Sequence, residues 1–136
     1  MTITLIELVE NTIYDRSGIP LAYLSGNQVI YRFDGQPVGY VISQRVLTFL
    51  GTHVGWLRDG WLRSLHGFCV GFTNAARNAH GPGLPTIRHD PHKAQKRPLP
   101  TKNGRKESHD ALIIRSTWSH TPLKVYLAWV QYQAGD

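Results

Sequence analysis

One cysteine, one methionine and no long apolar run set the first limits on this chain. A lone cysteine, Cys69, excludes an intrachain disulfide, and in a β-rich setting it reads as a small buried hydrophobe. No stretch approaches the roughly 18–20 apolar residues of a membrane span. The N-terminal Met1-Thr-Ile-Thr-Leu-Ile-Glu-Leu lacks the basic and long apolar regions of a secretory signal, so a cytoplasmic location is expected. Acidic residues are also scarce, nine against fifteen Lys and Arg, which leaves a net charge of +6. That excess is local. Residues 1–76 hold five basic and five acidic side chains, whereas 77–106 hold eight basic ones (Arg77, Arg88, Lys93, Lys96, Arg97, Lys102, Arg105, Lys106) against Asp90 alone. The same segment has no aromatic residue.

Catalytic signatures are missing too. The chain has no Gly-x-Ser-x-Gly, no glycine-rich phosphate loop before a helix, no Cys-x-x-Cys and no helix with histidines at i and i+4. His89-Asp90-Pro91-His92 offers two imidazoles and a carboxylate, but a proline-broken extended segment does not preset the geometry a metal needs. Ser17 and Ser64 lie in hairpins with no motif that brings a base to them. Neither a metal nor a cofactor is expected. The balance favours a binding or structural unit over an enzyme, with a hydrolase of no assignable site as a third reading.

What the sequence has in plenty is repetition. Between Thr12 and Thr73 a unit of sixteen or seventeen residues occurs four times, each with a turn glycine, then a small residue followed by an aromatic. The four are Gly18 with Ala22-Tyr23, Gly35 with Gly39-Tyr40, Gly51 with Gly55-Trp56, and Gly67 with Gly71-Phe72. Each unit reads as a β-hairpin, most clearly at Asp34-Gly35 between two apolar runs. Short joins at Ser25-Gly26-Asn27, Ser43-Gln44-Arg45 and Asp59-Gly60 force sequential antiparallel neighbours. An aliphatic residue precedes each small one (Leu21, Val38, Val54, Val70), and strict alternation would put it on the same face as the aromatic. Small residues at four equivalent places imply close approach about a shared pseudo-four-fold axis. Pro20 and Pro37 fit first-of-strand positions.

The flanks complete the plan. Residues 2–9 are β-branched and read as a strand. From Pro82 to Lys106 prolines alternate with basic residues, which favours an extended strap across the domain or a basic tail. Ala111 to Trp118 reads as a strand or extended segment. Thr121-Pro122 then opens a short helix to about Gln133, with a strand as the alternative. The expected fold is mainly all-β. It comprises a four-hairpin repeat unit (1–76), a basic proline-rich strap (77–110) and a C-terminal segment (111–136) packing back on the repeats, all within one domain.

The units Gly-Gln-Pro-Val-Gly-Tyr (35–40), His-Val-Gly-Trp-Leu-Arg-Asp-Gly-Trp (53–61) and Gly-Phe-Cys-Val-Gly-Phe (67–72), with Trp118-Ser119 beyond the strap, resemble the four-fold β-flower family. The resemblance implies the hairpin-repeat fold and a small bacterial protein without an assigned activity. Two sets of residues stand as candidate sites. Tyr23, Tyr40, Trp56 and Phe72, equivalent by repeat, would form an aromatic ring about the axis, able to hold a cation or an apolar ligand or simply to fill the core. The eight basic residues of 77–106 would attract a phosphate backbone or an anionic membrane surface, or serve as a solvated strap. An unknown protein partner is the first expectation and nucleic acid the second. Self-association through open strand edges is a further possibility.

Overall fold

The computed structural model describes residues 10–78, 81–106 and 111–132, so the strand expected over 2–9 lies outside the described residues. Eight short strands follow in chain order: β1 (Asn11–Tyr14), β2 (Pro20–Leu24), β3 (Val29–Arg32), β4 (Pro37–Ile42), β5 (Arg45–Leu47), β6 (His53–Arg58), β7 (Trp61–Ser64) and β8 (Cys69–Phe72). Each pairs antiparallel with the next, and β8 returns to β1, giving a closed barrel in sequence order. Closure removes the free edges that sequential hairpins would leave. Among the described residues the seam is one pairing wide, Tyr14 with Phe72.

The same turn is built four times. The Gly18 N–H donates to Asp15 O and the Asp15 N–H to Ile19 O, each at 2.9 Å, and Arg32–Gln36, Thr48–Thr52 and Ser64–Phe68 repeat the arrangement. Each tip therefore ends in one left-handed residue, a common longer hairpin loop. The glycines there have φ between 80° and 90°, where a Cβ would clash. The joins Ser43-Gln44 and Asp59-Gly60 have positive φ at both residues, the tight turn that matches strand twist. Because residues 15–17 and their equivalents belong to the tip, the strands are shorter than the apolar runs that predict them.

The expected alternation fails at one place in every unit. Ile13 pairs with Ala22 and Tyr14 with Pro20, which skips Leu21; the ladders of β3–β4, β5–β6 and β7–β8 skip Val38, Val54 and Val70 in the same way. These are β-bulges, one extra residue on the second strand of each hairpin. A bulge shifts the side-chain parity, so the aliphatic residue and the aromatic two places later separate onto opposite faces. Val38, Val54 and Val70 turn inward, where they pack with Ile13, Ala22, Ile30, Val46 and Leu62, and Leu21 packs against the same cluster. The aromatics turn outward.

The interior is completed by α1 (Leu123–Tyr132), which buries Leu123, Tyr126, Leu127 and Val130 in that cluster. The helix is therefore observed where sequence spacing favours it over a strand. The small residues of the repeats form its seat. A Cβ at Gly71 would lie 3.3 Å from Leu123 Cδ1, one at Gly39 would lie 3.1 Å from Val130 Cγ1, and one at Gly55 would overlap the Tyr126 hydroxyl. Close approach at these glycines is thus made by helix side chains and by the neighbouring-strand carbonyls of Leu47, Arg63 and Tyr14 alike. The Tyr126 hydroxyl donates to Val54 O at 2.9 Å, so the buried phenol has its partner. Residues 111–117 form no strand. The extended segment touches the barrel through one parallel bridge, Trp118 with Cys69, flanked by Cys69 N–H to Thr117 O at 3.0 Å and Ser119 N–H to Cys69 O at 2.7 Å.

Candidate functional site

Outside the barrel, the strap follows a rhythm of its own. The Arg88, Arg97 and Lys106 N–H groups donate to Gly18, Gly35 and Gly51 O, each at 2.9 Å, and the Arg115 N–H donates to Gly67 O at 3.4 Å. Donors nine residues apart thus meet acceptors sixteen or seventeen apart. The carbonyls of Thr86, Gln95, Gly104 and Ile113, again nine apart, lie against the four turn glycines, closely enough that any Cβ there would overlap them. The Ala94 N–H to Phe33 O and Asn103 N–H to Phe49 O bonds, both 2.8 Å, add a second pair in the same register. Proline suits such a strap, because extended backbone with few donors can lie on a surface and meet it only at fixed points. The signal was present in the sequence: a basic residue at 88, 97, 106 and 115 is a period that the hairpin repeat overshadows.

The strap divides the basic residues into two sets. Lys93 Nζ is 3.0 Å from Glu10 Oε1 and 4.6 Å from the centre of the Tyr23 ring. Lys96 Nζ is 2.9 Å from Glu10 Oε2, donates to Ser25 Oγ at 2.8 Å and lies 5.3 Å from the Tyr31 ring centre. Lys102 Nζ is 4.6 Å from the Tyr40 ring centre. Burial raises the Glu10 carboxyl, but hydrogen bonds from Lys96 and Lys93 outweigh it and hold the group below the usual carboxylate range. The bond to Glu10 in turn raises Lys96. These three lysines fasten the strap to the barrel. Arg77, Arg88, Arg97, Arg105 and Lys106 are exposed, as Lys96 and Lys102 are, but among the described residues their side chains make no such contact with the barrel.

Tyr23, Tyr40, Trp56 and Phe72 are all buried, but they do not meet in one ring. Tyr23 and Tyr40 share a cluster with Val29, Tyr31, Leu47 and Phe49. Phe72 belongs to another, with Tyr14, Trp61 and Cys69, covered by Leu84 and Trp118. Trp56 makes an edge contact with His53 at 4.4 Å and is capped by Arg45 at 5.1 Å. The strap residues over them, Leu84, Lys93 and Lys102, stand nine apart. In that series the fourth place is Ala111, which has no side chain long enough to cap a ring, and Arg45 of the barrel covers Trp56.

An apolar row on α1 is left open. Val125, Trp129 and Tyr132 project from the outer side of α1 with 53%, 48% and 76% of their surface exposed, unusual values for a buried-cluster helix. Beside them runs a groove of about 470 Å³ lined by Val54, Leu65, His66, Val125, Tyr126 and Trp129. Sequence spacing marks the buried row of α1 and leaves this second row unassigned. No group of three His, Cys, Asp or Glu side chains comes together in metal-binding geometry among the described residues. Among those residues no helix is long and apolar enough to cross a membrane.

Comparison with curated proteins and with solved structures gives no match. The family model described as "4-fold beta flower protein" matches residues 11–127, which span the eight strands, the strap and the first half of α1. With four bulged hairpins closed into a barrel over that same span, the chain belongs to the 4-fold β-flower family.

Proposed function

We propose that this protein is a non-enzymatic interaction module that binds a protein partner through the outer side of α1. The observation that carries this is the exposed row Val125, Trp129 and Tyr132 beside the open groove. Aromatic anchors next to a pocket are what interfaces use for most of their binding energy. The hairpin tips are not available for this role, since each is bonded to the strap. The partner surface is apolar, complementary to the row Val125, Trp129 and Tyr132 on a helix whose one charged residue is Lys124.

The test is affinity capture with the wild type and with Trp129→Ala, followed by reciprocal capture and titration of the purified partner. A partner that the wild type binds and Trp129→Ala binds at least tenfold more weakly is the expected result. Equal binding by both proteins overturns the assignment. A second reading, attraction of a polyanion by the basic strap, is favoured by one observation: the strap's main chain places basic residues at a constant nine-residue interval. Its test is the salt dependence of binding to duplex DNA, and a flat response counts against it.

A further inference from the structure

Resting on that second reading, we propose that the strap contacts the phosphates of a nucleic-acid backbone through Arg88, Arg97 and Lys106, and that Lys93, Lys96 and Lys102 take no part.

The first argument is positional. Each of the three has its own backbone N–H bonded to a hairpin-tip carbonyl at 2.9 Å. The main chain alone fixes where each side chain starts, and the side chain is left to reach outward. All three are exposed, and among the described residues none has a hydrogen bond or ion pair through its side chain. Arg97 lies near Asp34, whose carboxyl is lowered first by Arg32 and only lastly by Arg97.

The second argument is exclusion by engagement. Lys93 and Lys96 are bound to Glu10 and stacked over tyrosines, and Lys102 lies over Tyr40. Moving them onto phosphates would uncover the barrel's outer aromatic cluster. Arg115, the fourth member of the series, lies 4.8 Å over the Phe68 ring and donates to His66 O at 3.0 Å, so it too is held by the barrel.

The third argument concerns ligand type. The three groups stand on three different hairpins, so a single small anion meets one of them, whereas a polymer with regularly spaced phosphates meets several. With no aromatic residue in 77–106, stacking on bases adds nothing, and the contact is sequence-independent and set by salt.

The experiment compares three full-length proteins on one short DNA duplex over about 50 to 200 mM salt. They are the wild type, Arg88→Gln/Arg97→Gln/Lys106→Gln and Lys102→Gln. Three phosphate contacts predict a log–log slope of about −2.7, a loss of roughly 40-fold across that range. The triple variant should flatten the slope nearly to zero while its thermal transition stays in place. Lys102→Gln should keep the full slope and lower the transition temperature. Duplex binding with a slope that the triple variant leaves unchanged overturns this assignment and spares the polyanion reading. A slope that Lys102→Gln reduces also overturns it. No duplex binding at low salt, or binding only to vesicles of anionic phospholipid, overturns both.

Discussion

At Gly35 the backbone φ is 90°, and the carbonyl of Gln95 occupies the space a side chain would need. Two independent costs therefore fall on one substitution. Gly35→Ala should lower stability by about 2 kcal/mol or more, from left-handed strain together with displacement of the strap. Chemical denaturation reads it directly. A loss well under about 1 kcal/mol would mean that the strap moves aside freely. Tyr126 gives a second case. Its phenol is pushed well above its usual range by burial, and its hydroxyl has one job, donating to Val54 O. Tyr126→Phe leaves that carbonyl unpaired in the interior and should cost about 1 kcal/mol with the fold intact. The turn glycines were legible in the sequence because φ > 0 is a local demand that few residues meet. The second demand at Gly35 comes from a carbonyl sixty positions further on, and no local rule contains it.

For the hairpins, the sequence identified four units and their joins, and it placed the small residues at equivalent positions. It misassigned the faces. Alternation is counted from residue to residue, and a bulge at Leu21, Val38, Val54 or Val70 adds a residue to one strand without altering composition. All four aromatics consequently left the axis for the outer surface. Their removal made room for α1, whose Leu123, Tyr126 and Val130 rest on Gly71, Gly55 and Gly39. Gly55→Ala should therefore act on the helix and on the β6–β7 pairing together, because its Cβ would overlap both the Tyr126 hydroxyl and the Arg63 carbonyl oxygen. It forces Tyr126 off its seat, costs about 1–3 kcal/mol as an overpacking change, and should lower helical ellipticity and barrel stability together. The candidate surface on α1 was half legible. The buried row follows from helical spacing, but which remaining residues stay uncovered depends on what else packs there, and the strap packs elsewhere.

Across the whole molecule, electrostatics joins the start of the described chain to the strap. Glu10, just before β1, receives Lys93 and Lys96 from the strap. The sign follows from the lowered carboxyl. The folded protein binds the Glu10 proton less readily than the unfolded chain does, so the contribution is fully present above the ordinary value of 4.5 and is lost as pH falls through the lower folded value. Stability measured from neutral pH into that acid range should decline more steeply in the wild type than in Glu10→Gln. Parallel curves would show that Lys93 and Lys96 hold the strap without help from the carboxylate. The basic excess of 77–106, visible from composition alone, gave the position of the charge. Only the folded path separates fastening lysines from outward-facing arginines, because both kinds alternate within one segment.

The nine-residue spacing of the strap works as a phase relation between two unequal rulers. Three steps of nine must stay aligned with three steps of sixteen or seventeen, and each alignment point is a backbone bond that cannot stretch by a residue. Length, more than identity, is then the constrained quantity. Inserting one glycine between Pro98 and Thr101 should put every downstream contact out of phase, including those of Asn103, Lys106 and Arg115, while replacing Leu99, which is 42% exposed, should be nearly silent. Relatives that share this architecture should vary in strap sequence far more readily than in strap length.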